Sequence, residues 1–365
     1  MFQINRAVHC ILWLFKIHLQ KKMSIQAIDS LIIHKVGNKL QQEPLFLSDQ
    51  SISLNEELST LLSTYFFNAF QNTEWYHFFN QVELKYNTVY SLVSEMFLDN
   101  SLFISHATSL AKLLYESSVH PKIKGGEFYV AKFSNCVIDG VTTDAIGLFK
   151  SENKDTFLKI FPNGDYLDMQ SESGINIQKL DKGCIIYNVA AESGYKVAVV
   201  DKTNKGTETV FWFDDFLGVQ QSKDSYFHTE KMIELCTSFV SKALPEQFEV
   251  NKGDQADMLN KSVSYLKEAD YFNFDELSNM ISEQEDVRNS FKNYRDSFEQ
   301  TNDMIFESEF EISDAALKKK QRYFKPVIKL DKNFSIYVHG NTALMEQGTD
   351  ELGRKFYKLY YDNEG

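Results

Sequence analysis

The chain has 365 residues, of which 43% are hydrophobic, 14% aromatic and 24% charged. This composition is ordinary for a globular protein and excludes an intrinsically disordered chain, while 5 prolines and 16 glycines exclude a collagen-like one. The net charge is −13, so an evenly charged surface would repel nucleic acid and acidic lipids. DNA binding by this chain therefore requires a local basic patch or a partner protein.

Residues 1–22 differ from the rest of the chain because they contain four basic residues and no acid. Their apolar run from Cys10 to Phe15 is too short to span a membrane, which takes about 20 apolar residues. Gln20-Lys21-Lys22 stands where a cleavable signal peptide needs small residues. We interpret 1–22 as an upstream extension, disordered or arising from a non-native start, with a weak membrane anchor as the alternative.

The first half of the chain changes from strand to helix and back to strand. In chain order we predict a strand at 25–36, helices at 51–80 and about 87–117, and short strands within 125–200. Asn55 is a suitable N-cap for the first helix, and Pro121 cannot continue the second. Turn residues separate the short strands at a spacing typical of an antiparallel meander.

The second half is mostly helical and ends in β-rich runs. The predicted helices are 225–243, 252–268, 273–283 and 285–300, and the predicted strands are 327–330, 334–338 and 355–361. We therefore predict an α+β fold, in which N-terminal helices and an antiparallel meander precede a helical second lobe closed by a small β unit. The predicted domains are 23–220 and 225–365, following the extension at 1–22.

A search for enzyme motifs finds no dinucleotide-binding or phosphate-cradling glycine loop, no nucleophile elbow and no zinc-protease motif. The four cysteines and eight histidines lack ligand spacing, so we expect reduced thiols, no metal and no cofactor. Asp214-Asp215 is the strongest carboxylate pair, although adjacent residues rarely serve one site. Lys124-Gly125-Gly126 could let the backbone approach a phosphate, but a glycine pair before a strand is typical of a turn.

Acidic and basic residues are segregated near the C-terminus. Residues 265–314 contain 14 acids and 4 bases. The candidate DNA-binding residues follow within eight positions: Lys318, Lys319, Lys320, Arg322 and Lys325. Cations bind phosphates, and the intervening Tyr323 and Phe324 could stack on bases. The alternative is a solvated helix end, where cations complement the helix dipole and nearby acids.

Three segments together carry a family resemblance. They are Gly126–Ala131 leading to Asp144–Lys150, the run Val210-Phe211-Trp212-Phe213-Asp214-Asp215-Phe216-Leu217-Gly218, and the tail from Phe324 to Tyr357. In order and spacing they resemble the bacterial nucleoid-associated protein family of the NdpA/YejK type, from roughly Ile25 to the C-terminus. The resemblance implies an acidic cytoplasmic protein of the nucleoid, and none of the three segments is catalytic.

The combined prediction is a non-enzymatic protein that binds DNA, directly or through a nucleoid protein. The five cations supply phosphate contacts, and the acidic 265–314 helices limit access to them. One alternative is an adaptor that docks on a DNA-processing enzyme through an aromatic surface at Phe211–Phe216. A second is a metal-dependent nuclease using Asp214 or Asp215. We expect a homodimer, because symmetric pairs are the commonest assembly, and no membrane association.

Overall fold

The structure, a computed structural model, describes residues 27–70, 74–203, 211–320, 327–338 and 344–363. The chain divides into two compact units between Ser222 and Lys223, here called unit 1 and unit 2. The extension predicted at 1–22 lies outside the described residues, and the predicted domains 23–220 and 225–365 stay a prediction.

Unit 1 is built on antiparallel strands. They are β1 (Ala27–Val36), β2 (Leu45–Phe46), β3 (Trp75–Phe78), β4 (Gly126–Ile138), β5 (Val141–Ser151), β6 (Asp155–Asn163), β7 (Tyr166–Gly174), β8 (Lys182–Tyr187), β9 (Lys196–Asp201) and β10 (Val219–Gln221). Among the described residues, eight of them form one sheet in the order β10-β3-β9-β8-β5-β4-β1-β2, and β6 pairs with β7 in a separate hairpin. With the helices below, this sheet confirms the predicted α+β fold.

Both faces of the large sheet are covered by helices. The helices of unit 1 are α1 (Glu56–Phe67), α2 (Thr88–Leu98) and α3 (Phe103–Ser117). Side chains alternate along a strand, so successive residues of β4 enter two different hydrophobic clusters. One cluster includes α2, α3 and the segment Phe211–Leu217, and the other includes α1, where Phe66 stacks on Phe149 at 4.1 Å between ring centroids. The sheet is therefore the middle of three layers.

Two predicted helices of unit 1 differ from the observed ones. The helix predicted at 51–80 ends at Phe67, and Trp75–Phe78 forms β3 because it pairs with β9 and β10. The helix predicted at 87–117 is two helices. Asp99 interrupts it with an extended backbone, and its Oδ1 accepts a hydrogen bond at 2.8 Å from the Ser101 amide of a short 3-10 turn. Both predicted helices were therefore too long, because the observed helices end earlier.

Unit 2 is mostly helical. Its helices are α4 (Ser225–Ser238), α5 (Leu244–Gln247), α6 (Lys252–Glu268), α7 (Phe274–Ile281), α8 (Glu285–Thr301) and α9 (Asp314–Lys320). Aromatic side chains fill its core: Phe239, Phe272 and Phe291 are buried, and Phe272 stacks on Phe310 at 4.7 Å. The helices predicted between 225 and 300 appear within a few residues of their expected bounds.

Short antiparallel pairs complete unit 2. They are β11 (Tyr271–Asn273) with β12 (Glu309–Glu311), β13 (Val327–Leu330) with β14 (Phe334–Tyr337), and β15 (Met345–Thr349) with β16 (Lys355–Leu359). The last two pairs form the predicted closing β unit, although β15 was not predicted. In the part of the chain that the structure describes, no helix combines the length and apolar content needed to cross a membrane.

Candidate nucleic-acid interface

The first three cations of the predicted site lie on the last turn of α9. Ala316 and Leu317 are buried in unit 2, which fixes the inner side of this short helix. Ser313 precedes the helix, and its hydroxyl accepts a hydrogen bond from the Ala316 amide at 3.4 Å. The carboxyl end of a helix carries partial negative charge, so the positive charges of Lys318–Lys320 stabilise this helix. The same charges would attract an anionic ligand.

Lys320 is held by two carboxylates of α4. Its Nζ lies 2.6 Å from Glu230 Oε1 and 3.3 Å from Glu234 Oε1, and its side chain is 16% exposed. Burial lowers the pKa of Lys320, but the hydrogen bond and charge of Glu230, with those of Glu234, outweigh burial and raise the pKa above its ordinary value. A phosphate would have to compete with both carboxylates, so Lys320 is less available than its two neighbours.

Lys318 and Lys319 are exposed. The Lys319 Nζ lies 5.7 Å from the centroid of the Tyr226 ring, a distance at which a cation is attracted to the ring face. Arg322 and Lys325 lie outside the described residues, as do the two aromatic residues between them. The solvent-facing part of the described cluster therefore consists of Lys318 and Lys319.

The acidic residues of 265–314 lie mostly on the surface of unit 2. All of the 14 except Glu299 are exposed. Exposed carboxylates repel phosphate, and this repulsion is screened only beyond about 8 Å at physiological salt. DNA cannot coat such a surface, which restricts favourable contact to places where cations project. That the acids regulate access to α9 stays a prediction.

Two of the buried lysines of unit 1 have almost no exposed surface, which the sequence analysis missed. Lys150 and Lys182 are 0% and 1% exposed. Lys150 Nζ lies 3.0 Å from Glu152 Oε1, and Lys182 Nζ lies 2.8 Å from Asp201 Oδ2. The Phe211 ring lies over both ammonium groups, with its centroid 5.4 and 5.5 Å away. Both lysines form ion pairs inside the fold, at the ends of neighbouring strands. Because they are buried, DNA cannot reach them.

The two carboxylates considered for nuclease chemistry lie on a π-helical segment, Phe211–Leu217. Asp214 and Asp215 are exposed and border a cleft of about 430 Å³. Burial raises the pKa of Asp214, and the charge of Asp215 adds to the shift. Among the described residues, no group of three His, Cys, Asp or Glu side chains is placed to hold a metal ion.

The aromatic residues of the same segment face inwards. Phe211, Trp212 and Phe216 are buried, and Phe216 packs edge-on against Phe128 with 5.9 Å between ring centroids. The half-buried Phe213 packs against Tyr76 at 5.3 Å. The hypothesis that this region presents an aromatic docking surface is therefore wrong, because the rings complete the core on one face of the sheet.

Asn87 fixes the end of this segment. Its Nδ2 donates hydrogen bonds to the carbonyls of Leu217 and Gly218, both at 2.9 Å, while its Oδ1 caps α2 by accepting from the Tyr90 amide at 2.9 Å. Gly218 has φ +62°, and a Cβ at this position would collide with the Asn87 amide. The final glycine of the segment is thus a structural requirement.

Glu43 decides between the two interpretations of the glycine pair that begins β4. Glu43 Oε2 accepts a hydrogen bond from the Asn38 amide at 2.7 Å. The same oxygen fills the space beside Gly125, where an added Cβ would collide with it. A carboxylate in this position repels a phosphate, so the turn interpretation fits the structure and phosphate binding does not. No local sequence signal places Glu43 there.

The described thiols are buried. Cys136, Cys184 and Cys236 are free, and burial raises the pKa of Cys136 and of Cys236 to about 12. Thiolates are the reactive and metal-binding form of cysteine, and this burial disfavours them. Cys10 lies outside the described residues.

Comparison with known proteins gives one family. No curated relative matches the chain. The family profile NA37, described as nucleoid-associated protein YejK, matches residues 32–355. The match includes the first two segments that carried the resemblance, β4 with β5 and the π-helical segment with Gly218, and the C-terminal tail as far as Lys355. The chain therefore belongs to the YejK family of nucleoid-associated proteins.

Proposed function

We propose that this chain is a non-catalytic nucleoid protein of the bacterial cytoplasm that contacts DNA phosphates through the carboxyl end of α9. The observation that carries the proposal is the exposure of Lys318 and Lys319 on the last turn of α9. Arg322 and Lys325 extend the same contact in the proposal. Membership of a nucleoid-associated family supports the location.

The charge distribution gives this contact a measurable signature. Each phosphate neutralised by a cation contributes about −0.9 to the slope of log affinity against log salt concentration. Two lysines therefore give a slope of about −2, and four cations a slope of about −4. Over 50–200 mM salt, affinity should fall by roughly 10- to 150-fold. A chain of net charge −13 that coated DNA over a wide surface would need many more cations.

The test is binding of the full chain to labelled duplex and single-stranded DNA over this salt range. The Lys318→Glu/Lys319→Glu variant should bind at least about tenfold more weakly, with a slope reduced by about 2. The matched control is Lys261→Glu/Lys267→Glu, which changes the net charge equally at exposed positions of α6 in the same unit. The control should keep most of the affinity.

Equal losses in the two variants would mean that only net charge matters, and the assignment to α9 would be wrong. Absence of binding even at 50 mM would mean that the chain reaches the nucleoid through a partner protein. DNA cleavage by the wild-type chain with magnesium or manganese, lost in Asp215→Ala, would overturn the non-catalytic part of the proposal.

A further inference from the structure

One face of the β15–β16 hairpin carries aromatic rings that are open to solvent. The register, with Gly348 opposite Phe356, assigns alternate residues of each strand to two faces. The Tyr360 amide donates a hydrogen bond to the Leu344 carbonyl at 2.8 Å, so the pairing continues one residue beyond β16. Phe356, Lys358 and Tyr360 therefore share one face, here called the aromatic row. Phe356 and Tyr360 are each 42% exposed.

The other face of the hairpin packs on unit 2. Met345 belongs to that other face, and its Cε lies 3.1 Å from the position that a Cβ would take at Gly253, in the first turn of α6. The missing side chain at Gly253 makes room for the methionine. Because the two faces of a strand point in opposite directions, the aromatic row lies on the side of the hairpin away from α6.

The Phe356 ring lies across the neighbouring strand. A Cβ added at Gly348 would come within 2.4 Å of the Phe356 Cζ, so the ring occupies the space that a side chain on β15 would otherwise fill. A glycine inside a strand often marks such a close approach. One side of the ring covers the glycine backbone, and the exposed part of the ring remains accessible for stacking.

Lys358 supplies a cation between the two rings. Its Nζ lies 4.8 Å from the centroid of the Tyr360 ring and 3.6 Å from Glu346 Oε2. The side chains of Lys358 and Glu346 are both 57% exposed, and an ion pair this exposed contributes little, so a phosphate can compete for the lysine. Rings that stack on bases, beside cations that contact the backbone, are common features of proteins that bind single-stranded nucleic acid.

We infer that the aromatic row binds unpaired bases of single-stranded DNA, with a base stacked on Phe356 and another on Tyr360 and a phosphate beside Lys358. In a duplex the bases are paired and stacked on one another, so their faces cannot reach the rings. An apolar protein surface would have to bury Glu346 and Lys358, whereas an extended strand leaves both in water. The inference rests on the proposed function, because it adds a strand preference to the DNA contact proposed for α9.

The test is binding of the full chain to labelled oligothymidine of about 12 nucleotides and to a duplex of the same length. Phe356→Leu and Tyr360→Leu remove a ring and keep an apolar side chain, so each should weaken single-strand binding roughly fivefold or more and leave duplex affinity unchanged. Tyr360→Phe keeps the ring and should bind like the wild type. Tyr271→Leu is the matched control, since Tyr271 is an exposed tyrosine (66%) on β11 of the same unit.

Two further measurements address the geometry of the site. Glu346→Gln removes the carboxylate that competes with phosphate for Lys358, so it should tighten single-strand binding about twofold. An oligonucleotide that contains 5-iodouracil should crosslink under ultraviolet light to a peptide covering 355–361, because this photoreaction joins the base to an aromatic ring stacked on it. Crosslinks found only elsewhere in the chain would overturn the inference.

The ring variants separate this inference from the proposed function. Ring variants that bind single strands like the wild type, or that lose no more affinity than Tyr271→Leu, would overturn the aromatic row. Equal losses for single strand and duplex would overturn it as well, as would a wild type that binds no single strand. Binding to both DNAs that survives Lys318→Glu/Lys319→Glu would instead refute the contact at α9, while a loss confined to single strands in the ring variants would still support the aromatic row.

Discussion

Both units place lysines beside carboxylates, but the lysines differ in their exposure to solvent. In unit 1, Lys182 and Asp201 are each 1% exposed as side chains, and their charges satisfy each other inside the fold. In unit 2, Lys320 is partly exposed beside Glu230, and Lys318 and Lys319 next to it face solvent. A buried cation is part of the scaffold, while an exposed one stays available to a ligand. The proposed DNA contact therefore lies in unit 2.

The largest difference in the free energy of unfolding should appear when one lysine is removed from each cluster. Lys182→Met leaves Asp201 and Glu152 buried with one cation fewer, and breaking a buried pair typically costs about 3–5 kcal/mol. Lys320→Met leaves the buried Glu230 with one hydrogen bond fewer, but Lys320 and Glu234 keep contact with water, so it should cost less, about 1.5–3 kcal/mol. Chemical denaturation followed by circular dichroism measures both. Similar losses of unfolding free energy in the two variants would contradict the distinction between a lysine that stabilises the fold and one that lies near the surface.

A second comparison tests whether the units unfold separately. Phe66 of unit 1 stacks on Phe149, and Phe272 of unit 2 stacks on Phe310. Replacing either buried ring with alanine should cost at least about 3 kcal/mol. If the predicted domains fold independently, calorimetry will show two transitions, with Phe66→Ala lowering one and Phe272→Ala the other. A single transition lowered equally by both variants would refute independent folding.

Removal of a helix cap should also destabilise unit 1 more than unit 2, by a smaller amount. Asn87 caps α2 and also binds the carbonyls that end the π-helical segment, whereas Asn251 only forms the capping box of α6 with Asp254. Asn87→Ala should therefore cost about 2 kcal/mol and Asn251→Ala about 1 kcal/mol. Urea denaturation of the two variants measures the difference, and equal costs would mean that the extra hydrogen bonds of Asn87 contribute nothing.

Lowering the pH should destabilise both units because each contains a buried histidine. We expect this to be the smallest of the stability effects compared here. Burial lowers the pKa of His34 in unit 1 and of His228 in unit 2. Their neutral forms are favoured in the fold, so stability is complete above the unfolded pKa of about 6.5 and falls as the pH drops below it. Protonation of His34 would also break its Nδ1 contact with the Ser48 amide.

Thermal unfolding between pH 7.5 and 5 measures this effect. His34→Gln should flatten the pH dependence relative to the wild type, since glutamine does not titrate in this range. An unchanged pH profile in His34→Gln would show that His34 does not contribute to acid sensitivity.

Local patterns predicted much of this fold. The β-rich runs of 125–200 and the helices of 225–300 were found because alternation, helical spacing and turn residues are local properties. Trp75–Phe78 was missed because its strand identity depends on pairing with β9 and β10. Burial of Lys182, and the capture of Lys320 by Glu230, depend equally on residues distant in the chain. A basic run therefore predicts a surface cluster, but not which of its members are held by carboxylates.

The most direct test of the central claim is hydrogen exchange of the full chain with and without duplex DNA at 50 mM salt. The account predicts that DNA protects peptides covering α9 and the basic residues immediately after it, and leaves 126–201 of unit 1 unchanged. Protection concentrated in unit 1, with no change around Lys318 and Lys319, would contradict it.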